Sequence, residues 1–259
     1  MPKKELGQHW LTDRAILHEI VADAHLQPVD TVLEIGPGLG TLTSVLLAQA
    51  SRVVAVEYDE DLAAKLPKQF PGKDLQVIRQ DFLTFDLGEL PASYKVVANV
   101  PYYITAKIVA HLTNAANRPH TAVLLVQKEV AERMAATPGD MSLLALNAQV
   151  AAEVSLGVVV DRSYFNPEPR VDSQVVILEF RDQPAVPIEL EKSFWRVAKA
   201  GFSAKRKKLR SSLSAGLALS KQDTEQLLAT ASIDPDLRAE ALSIDDWIRI
   251  ATALQEVDS

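Results

Sequence analysis

The chain has 259 residues, of which 47% are apolar and 24% charged, with no cysteine and a formal net charge of −7. This is enough apolar chain for one large domain carrying a small appendage, and the missing cysteines exclude disulfides, thiolate catalysis and cysteine-bound zinc. No metal is expected, because the five histidines show no metal-ligand spacing, and no membrane partner, because no apolar run approaches the length of a span.

The opening MPKKELGQHW lacks the apolar core of a secretory signal, so a cytoplasmic protein is expected. Residues 12–26 carry apolar side chains at helical spacing behind a Thr-Asp start and predict a helix. TVLEIGPGLG (31–40) reads as a short buried strand running into a glycine turn, and TLTSVLLAQA (41–50) as the helix that follows. RVVAVEYD (52–59) is a second buried strand with an acidic end, followed by a helix over 60–70. LQVIRQDF (75–82) and YKVVANVP (94–101) predict two more strands; then come a helix over 104–116, a strand over 121–127 and a helix over 128–136. Apolar strands alternating with helices imply an α/β fold with a parallel sheet covered on both faces. AEVSLGVVVDRSYF (152–165) and SQVVILEFRD (173–182) predict a longer antiparallel pair at one edge.

From Asp182 the texture changes. QPAVPIE (183–189) has two prolines and reads as a linker, and the remainder is helical, with capping-box starts at Ser220–Asp223 and Ser243–Asp246. The expected division is therefore a domain over 1–182 and a small all-helical one over 183–259. Five cations, Lys205, Arg206, Lys207, Lys208 and Arg210, fall within six residues of the latter, so an acidic total conceals a basic patch. Lys3 and Lys4 add charge at the start.

In an open parallel sheet a ligand lies across the carboxyl ends of the strands, and four predicted strand ends carry residues suited to one. The G-x-G-x-G turn from Gly36 permits a tight bend and close backbone approach, and the helix N-terminus after it favours a negative group such as a carboxylate. It predicts nucleotide or nucleoside binding. Glu57 ends the next strand, where an acid accepts both ribose hydroxyl protons. Asp81 and Phe82 follow the third, Asp81 to accept from an exocyclic amine and Phe82 to pack on a purine face.

The fourth strand ends on Asn99, with Pro101 and Tyr102 behind it. The exocyclic amine of a base is a poor nucleophile because its lone pair is delocalised into the ring. Two acceptors, the Asn99 side-chain oxygen and a backbone carbonyl at Val100 or Pro101, can bind both N–H groups and favour a pyramidal nitrogen with its lone pair free. Pro101 fixes the backbone without a competing N–H, and Tyr102 offers a face for stacking worth about 1–3 kcal/mol per base.

These strand ends stand among LGQHWL (6–11), EIGPGLGTLT (34–43), QDF (80–82), NVPYYIT (99–105), QKEVAERMAATPG (127–139), FNPEPRVDSQVV (165–176) and GFSAKRKKL (201–209). On those stretches, spread over nearly the whole chain, the sequence resembles the ribosomal RNA adenine N6-dimethyltransferase family. The resemblance implies a Rossmann-like class I methyltransferase domain, a segment over 1–11 that contacts cofactor or RNA, and a helical rRNA-binding domain. It implies S-adenosyl-L-methionine as cofactor, held by His9, Leu11, Gly36, Glu57, Asp81, Phe82 and Asn99. The implied reaction converts two adjacent adenosines of the 3′-terminal hairpin loop of small-subunit rRNA to N6,N6-dimethyladenosine, late in assembly of the 30S subunit. Phe165 matches the family's second stacking aromatic, so the flipped adenine is expected between Tyr102 and Phe165. Lys3, Lys4 and the cations from Lys205 to Arg210 are expected on RNA phosphates.

The chain departs from the usual FGQNFL of the family at Leu6, His9 and Trp10, carries Glu168 where proline is frequent, and has MSLLALNAQV where Tyr-Gly usually stands. Two other readings share these residues. A methyltransferase of the antibiotic-resistance type would act on large-subunit rRNA, but QKEVAERM and the fuller C-terminal domain favour the small-subunit enzyme. A non-catalytic ribosome assembly factor would have no need of an intact Asn99, Pro101 and Tyr102. DNA adenine methylation shares the chemistry but lacks its usual target-recognition insertion here. A monomer is expected, as no feature argues for an oligomer.

Overall fold

In a computed structural model, residues 9–258 are described; Lys3 and Lys4 lie outside the described residues. β1 (Trp10–Leu11) leads to α1 (Arg14–Ala22), whose start is fixed by the Asp13 carboxylate accepting the Ile16 N–H at 3.1 Å. Next come β2 (Thr31–Ile35), α2 (Thr41–Gln49), β3 (Arg52–Glu57), α3 (Glu60–Gln69) and β4 (Leu75–Arg79). They are followed by β5 (Lys95–Asn99), α4 (Thr105–Thr113), β6 (Thr121–Gln127) and α5 (Lys128–Met134). After α6 (Leu143–Ala151) the chain forms β7 (Ala152–Val160), β8 (Phe165–Asn166) and β9 (Ser173–Phe180). The remainder is helical: α7 (Glu191–Phe202), α8 (Leu209–Leu217), α9 (Lys221–Thr230) and α10 (Ile244–Asp258).

The main sheet has the order β4-β3-β2-β5-β6-β9-β7. The first five strands are parallel; β9 and β7 run antiparallel at one edge, the longer pair that was expected there. On one face Val32, Val53, Val97 and Val123 meet Leu17 and Ile20 of α1 and Val45 and Leu46 of α2. The alternate residues Leu33, Val54, Val96 and Leu124 are as fully buried, so both faces are covered. That is why these strands read as continuous apolar runs. Each Val or Leu taken out of water contributes roughly 1.5–3 kcal/mol.

The chain divides into two units, one of residues 1–132 with 152–181, the other of 133–151 with 182–259. The expected boundary at 182/183 assigned residues 133–151 to the first domain, and here the structure differs. Met141, Ala145, Leu146 and Val150 share one core with Phe194, Leu213 and Trp247. The stretch MSLLALNAQV, in which Asn147 and Gln149 interrupt the apolar residues, carries no expected element. It forms α6, with Ser142 Oγ accepting the Ala145 N–H at 3.1 Å and five of its nine residues buried. Both serines cap their helices, but only Ser243–Asp246 closes the full capping box. Ser220 Oγ accepts the Asp223 N–H and Ser243 Oγ the Asp246 N–H, each at 3.1 Å, and the Asp246 carboxylate accepts the Ser243 N–H at 2.8 Å.

In the second unit α7 and α8 touch backbone to backbone. A Cβ built on Gly216 would lie 2.6 Å from Ala200 Cβ and 2.7 Å from its Cα. Alanine favours a helix interior by about 1 kcal/mol over glycine, but overpacking against backbone costs about 1–3 kcal/mol, so Gly216→Ala should lower the thermal midpoint. A raised midpoint would contradict the close crossing.

Candidate active site

Parallel order reverses between β2 and β5, and ligands in such sheets bind outside the carboxyl ends at that switch point. There the structure has a cavity of about 420 Å³ lined by the ends of β2, β3, β4 and β5. All the residues expected around the cofactor line it: His9, Leu11, Gly36, Glu57, Asp81, Phe82 and Asn99. Pro101 and Tyr102 do so as well.

The glycine turn is built for close approach. Gly36 has φ 65° and Gly38 φ 58°, in the left-handed region where a side chain is strained. A Cβ on Gly38 would also crowd the Trp10 indole at 3.3 Å. The Gly38 N–H donates to Glu57 Oε2 at 3.1 Å, and the Asp59 N–H to Oε1 at 2.8 Å. Both carboxylate oxygens are thus aimed by backbone, each with lone pairs left to accept from a pair of hydroxyls. Burial raises the Glu57 pKa, and these two bonds oppose the rise.

The Thr41 hydroxyl at the start of α2 donates to the Leu11 carbonyl at 2.9 Å, fastening β1 beside the turn. Asp81 is exposed and caps the following 3-10 turn through the Leu83 N–H at 2.9 Å. Phe82 is buried, with its ring edge-on to His111 at 5.1 Å.

At the end of β5 the Asn99 Nδ2 donates to the His9 carbonyl at 3.1 Å, which leaves Oδ1 for an incoming donor. Of the two backbone acceptors left open by sequence, the Pro101 carbonyl is engaged by the Ile104 N–H at 3.2 Å and the Thr105 hydroxyl at 3.4 Å. The Val100 carbonyl accepts no hydrogen bond among the described residues. Asn99 Oδ1 and the Val100 carbonyl are the pair that geometry leaves for an amine. The Tyr102 hydroxyl pairs with Ser173 Oγ at 2.6 Å, and burial raises its pKa.

Phe165 does not join this group. It is 4% exposed, pairs with Leu11 across β1–β8, and belongs to the core under α1 and α2. The ring found against Tyr102 is His9, with centroids 5.6 Å apart and planes at 18°.

Three cavity residues went unrecognised in the sequence. Glu34 is 1% exposed and receives the Thr43 hydroxyl at 2.6 Å. Its signal was an acid inside an otherwise apolar strand, directly before the glycine turn. Tyr58 presents an exposed ring on the cavity wall next to the buried Glu57, and Lys107 adds a cation from α4. Burial, reinforced by the Glu57 charge, pushes Glu34 up to about 8.

Glu57 and Asp81 give the cavity an acidic wall, with Glu34 buried behind them in its protonated form. A cation is favoured there, and the residues fit S-adenosyl-L-methionine, whose sulfonium and ammonium are positive and whose ribose hydroxyls suit Glu57. Between the ordinary 4.5 and about 8, the folded chain keeps a Glu34 proton that the unfolded chain releases. Stability therefore falls as pH rises through that window. Glu34→Gln should flatten the fall and gain stability at its upper end in thermal unfolding; an unchanged slope would mean that Glu34 is ionised when buried.

The sequence profile of the ribosomal RNA adenine dimethylase family matches residues 2–256. Ribosomal RNA small subunit methyltransferase A of Dehalococcoides mccartyi is 40% identical over 249 residues, covering 95% of this chain and 86% of the relative. The protein of that name from Moorella thermoacetica is 39% identical over 269 residues, covering 98% and 93%. Among solved structures, a dimethyladenosine transferase from Plasmodium falciparum superposes with a TM-score of 0.82 at 26% identity, covering 96% of this chain and 98% of that one. The 23S rRNA methyltransferase ErmE gives 0.75 at 28%, covering 95% and 99%. Profile, relatives and fold agree: the chain belongs to the ribosomal RNA adenine dimethylase family of S-adenosyl-L-methionine-dependent methyltransferases.

Proposed function

We propose that this protein dimethylates N6 of two adjacent adenosines in the 3′-terminal hairpin loop of small-subunit rRNA. Its substrate is the 30S subunit or its precursor, and it acts as a cytoplasmic monomer without a metal. The observation that carries the reading is the end of β5, where Asn99 Oδ1 and the Val100 carbonyl accept no hydrogen bond among the described residues and line, with Tyr102, the same cavity.

S-adenosyl-L-methionine, held by Gly36, Glu57 and Asp81 with the neighbouring Leu11 and Phe82, would supply an electrophilic methyl group. The protein's own part is to make the amine a nucleophile. Asn99 Oδ1 and the Val100 oxygen accept its two N–H groups and draw its lone pair out of conjugation. The Thr105 hydroxyl, bound to the Pro101 and Tyr102 carbonyls, holds the turn in that shape. Tyr102, fixed through Ser173, carries the base on its face.

Asn99→Ala should lower the rate of transfer on the order of 10²-fold, the scale of losing one preorganised polar contact to a reacting centre. The test is transfer of labelled methyl from S-adenosyl-L-methionine to under-methylated small or large ribosomal subunits. Label in the small subunit alone is expected; label confined to the large subunit would put the enzyme with the antibiotic-resistance type. Tight subunit binding without transfer would make it an assembly factor.

The basic run divides in two. Lys208 and Arg210 pair with Asp236 at 2.9 and 3.0 Å, whereas Lys205, Arg206 and Lys207 are exposed and make no ion pair among the described residues. Exposed pairs contribute only about 0–1 kcal/mol, so the first two can still exchange Asp236 for phosphate. Replacing Lys205, Arg206 and Lys207 by Gln should flatten the salt dependence of subunit binding by about 0.7 per lost phosphate contact. An unchanged slope would remove this run from the RNA interface.

A further inference from the structure

The resemblance to the family places His9 at the cofactor, and it does line that cavity, but two contacts fix its ring against Tyr102 and Pro167. The imidazole stacks on Tyr102, with centroids 5.6 Å apart and planes at 18°. His9 Nδ1 lies 2.7 Å from the Pro167 carbonyl and donates to it. The His9 backbone carbonyl holds Asn99 Nδ2 at 3.1 Å. The backbone here is pinned independently of the ring. Trp10 pairs with Asn166 and Leu11 with Phe165, and the Thr41 hydroxyl binds the Leu11 carbonyl.

Side chain and backbone of His9 therefore do different things. The carbonyl fixes the Asn99 amide with Oδ1 turned toward an incoming amine. The ring covers the aromatic face on which that amine's base must stack. A flat, hydrogen-bonding heterocycle lying nearly parallel to Tyr102 occupies the place that an extruded base needs.

We propose that His9 is a stand-in for the target base: its imidazole fills the stacking place on Tyr102, and the extruded adenine enters by exchange with it. This rests on the assignment of Asn99 and Tyr102 to the base under Proposed function. The exchange asks only for rotation of the His9 side chain, because β1 and the Asn99 contact remain where they are. It makes His9 a specificity-determining residue of the RNA step. A base displaces the imidazole only if it stacks better on Tyr102 and also satisfies Asn99 Oδ1 and the Val100 carbonyl. A purine with an exocyclic amine does both. A pyrimidine with one stacks less well, and a purine without one leaves the acceptors unmatched.

The test uses the full-length protein, its His9→Ala and His9→Phe variants, and an rRNA hairpin with 2-aminopurine next to a target adenosine, where its emission reports extrusion of that adenosine. Three readouts separate the roles: cofactor Kd, KM for unlabelled substrate, and the RNA concentration at half-maximal change in 2-aminopurine emission. His9→Ala should lower the last two by about 5–10-fold, the scale of one weak stacking interaction, and leave cofactor Kd unchanged. His9→Phe, which restores a ring over Tyr102, should return both to the wild-type value or above. A weaker cofactor Kd in both variants, with the RNA readouts unmoved, would overturn the proposal and return His9 to the cofactor. The wild-type protein in the same assay keeps the two questions apart. Absence of transfer by it would defeat the functional reading, while the emission series still decides what covers Tyr102.

Discussion

The site depends on one topological constraint. β2 and β5 are neighbours in the sheet, but the chain after β2 crosses toward β3 and the chain after β5 crosses toward β6. Because the two crossovers diverge, a crevice remains between the two carboxyl ends, where the sheet's backbone groups and strand-end side chains face a ligand. Gly36 and Asn99 sit at the two lips of that crevice, with Glu57 and Asp81 one and two strands further out. Everything chemical in the protein is set by what the sequence puts at those four ends.

Charge is handled by backbone rather than by counter-ions. Glu57 is kept in a buried setting by N–H groups from the glycine turn and from Asp59, so its oxygens are oriented before any hydroxyl arrives. Glu34, two residues before Gly36, holds its proton because it is buried and, to a smaller extent, because it lies in the field of Glu57, while the Thr43 hydroxyl bond opposes this. Asn99 and Tyr102 follow the same rule: Asn99 Nδ2 is tied to the His9 carbonyl and the Tyr102 hydroxyl to Ser173, and both residues line the cavity.

The strands, the edge pair, the helix starts at Ser220 and Ser243 and the strand-end residues that line the cavity were legible because each has a local signature: apolar runs buried on two faces, length, a Ser three residues before Asp, or a polar residue at a strand end. What escaped was decided by long-range packing. The sequence of helix α6 names no partner, and only the core around Trp247 shows that it joins the second unit. Phe165 reads as a stacking ring, yet the pairing of Leu11 with Phe165 turns it into the core. The basic run reads as five equivalent cations, and Asp236, distant in sequence, engages two of them. No local pattern indicates that His9 lies on Tyr102, since the two are brought together by tertiary contacts of a short strand.

The central claim is that Asn99, Val100 and Tyr102 present adenine N6 for repeated transfer at two neighbouring nucleotides. The most direct measurement is mass-spectrometric mapping of the methylated nucleosides in small-subunit rRNA after exhaustive reaction with the wild-type protein and with Asn99→Ala. N6,N6-dimethyladenosine at two adjacent positions of the 3′-terminal loop, absent with the variant, is the predicted result. Methyl groups elsewhere in the rRNA, or an undiminished yield with Asn99→Ala, would contradict it.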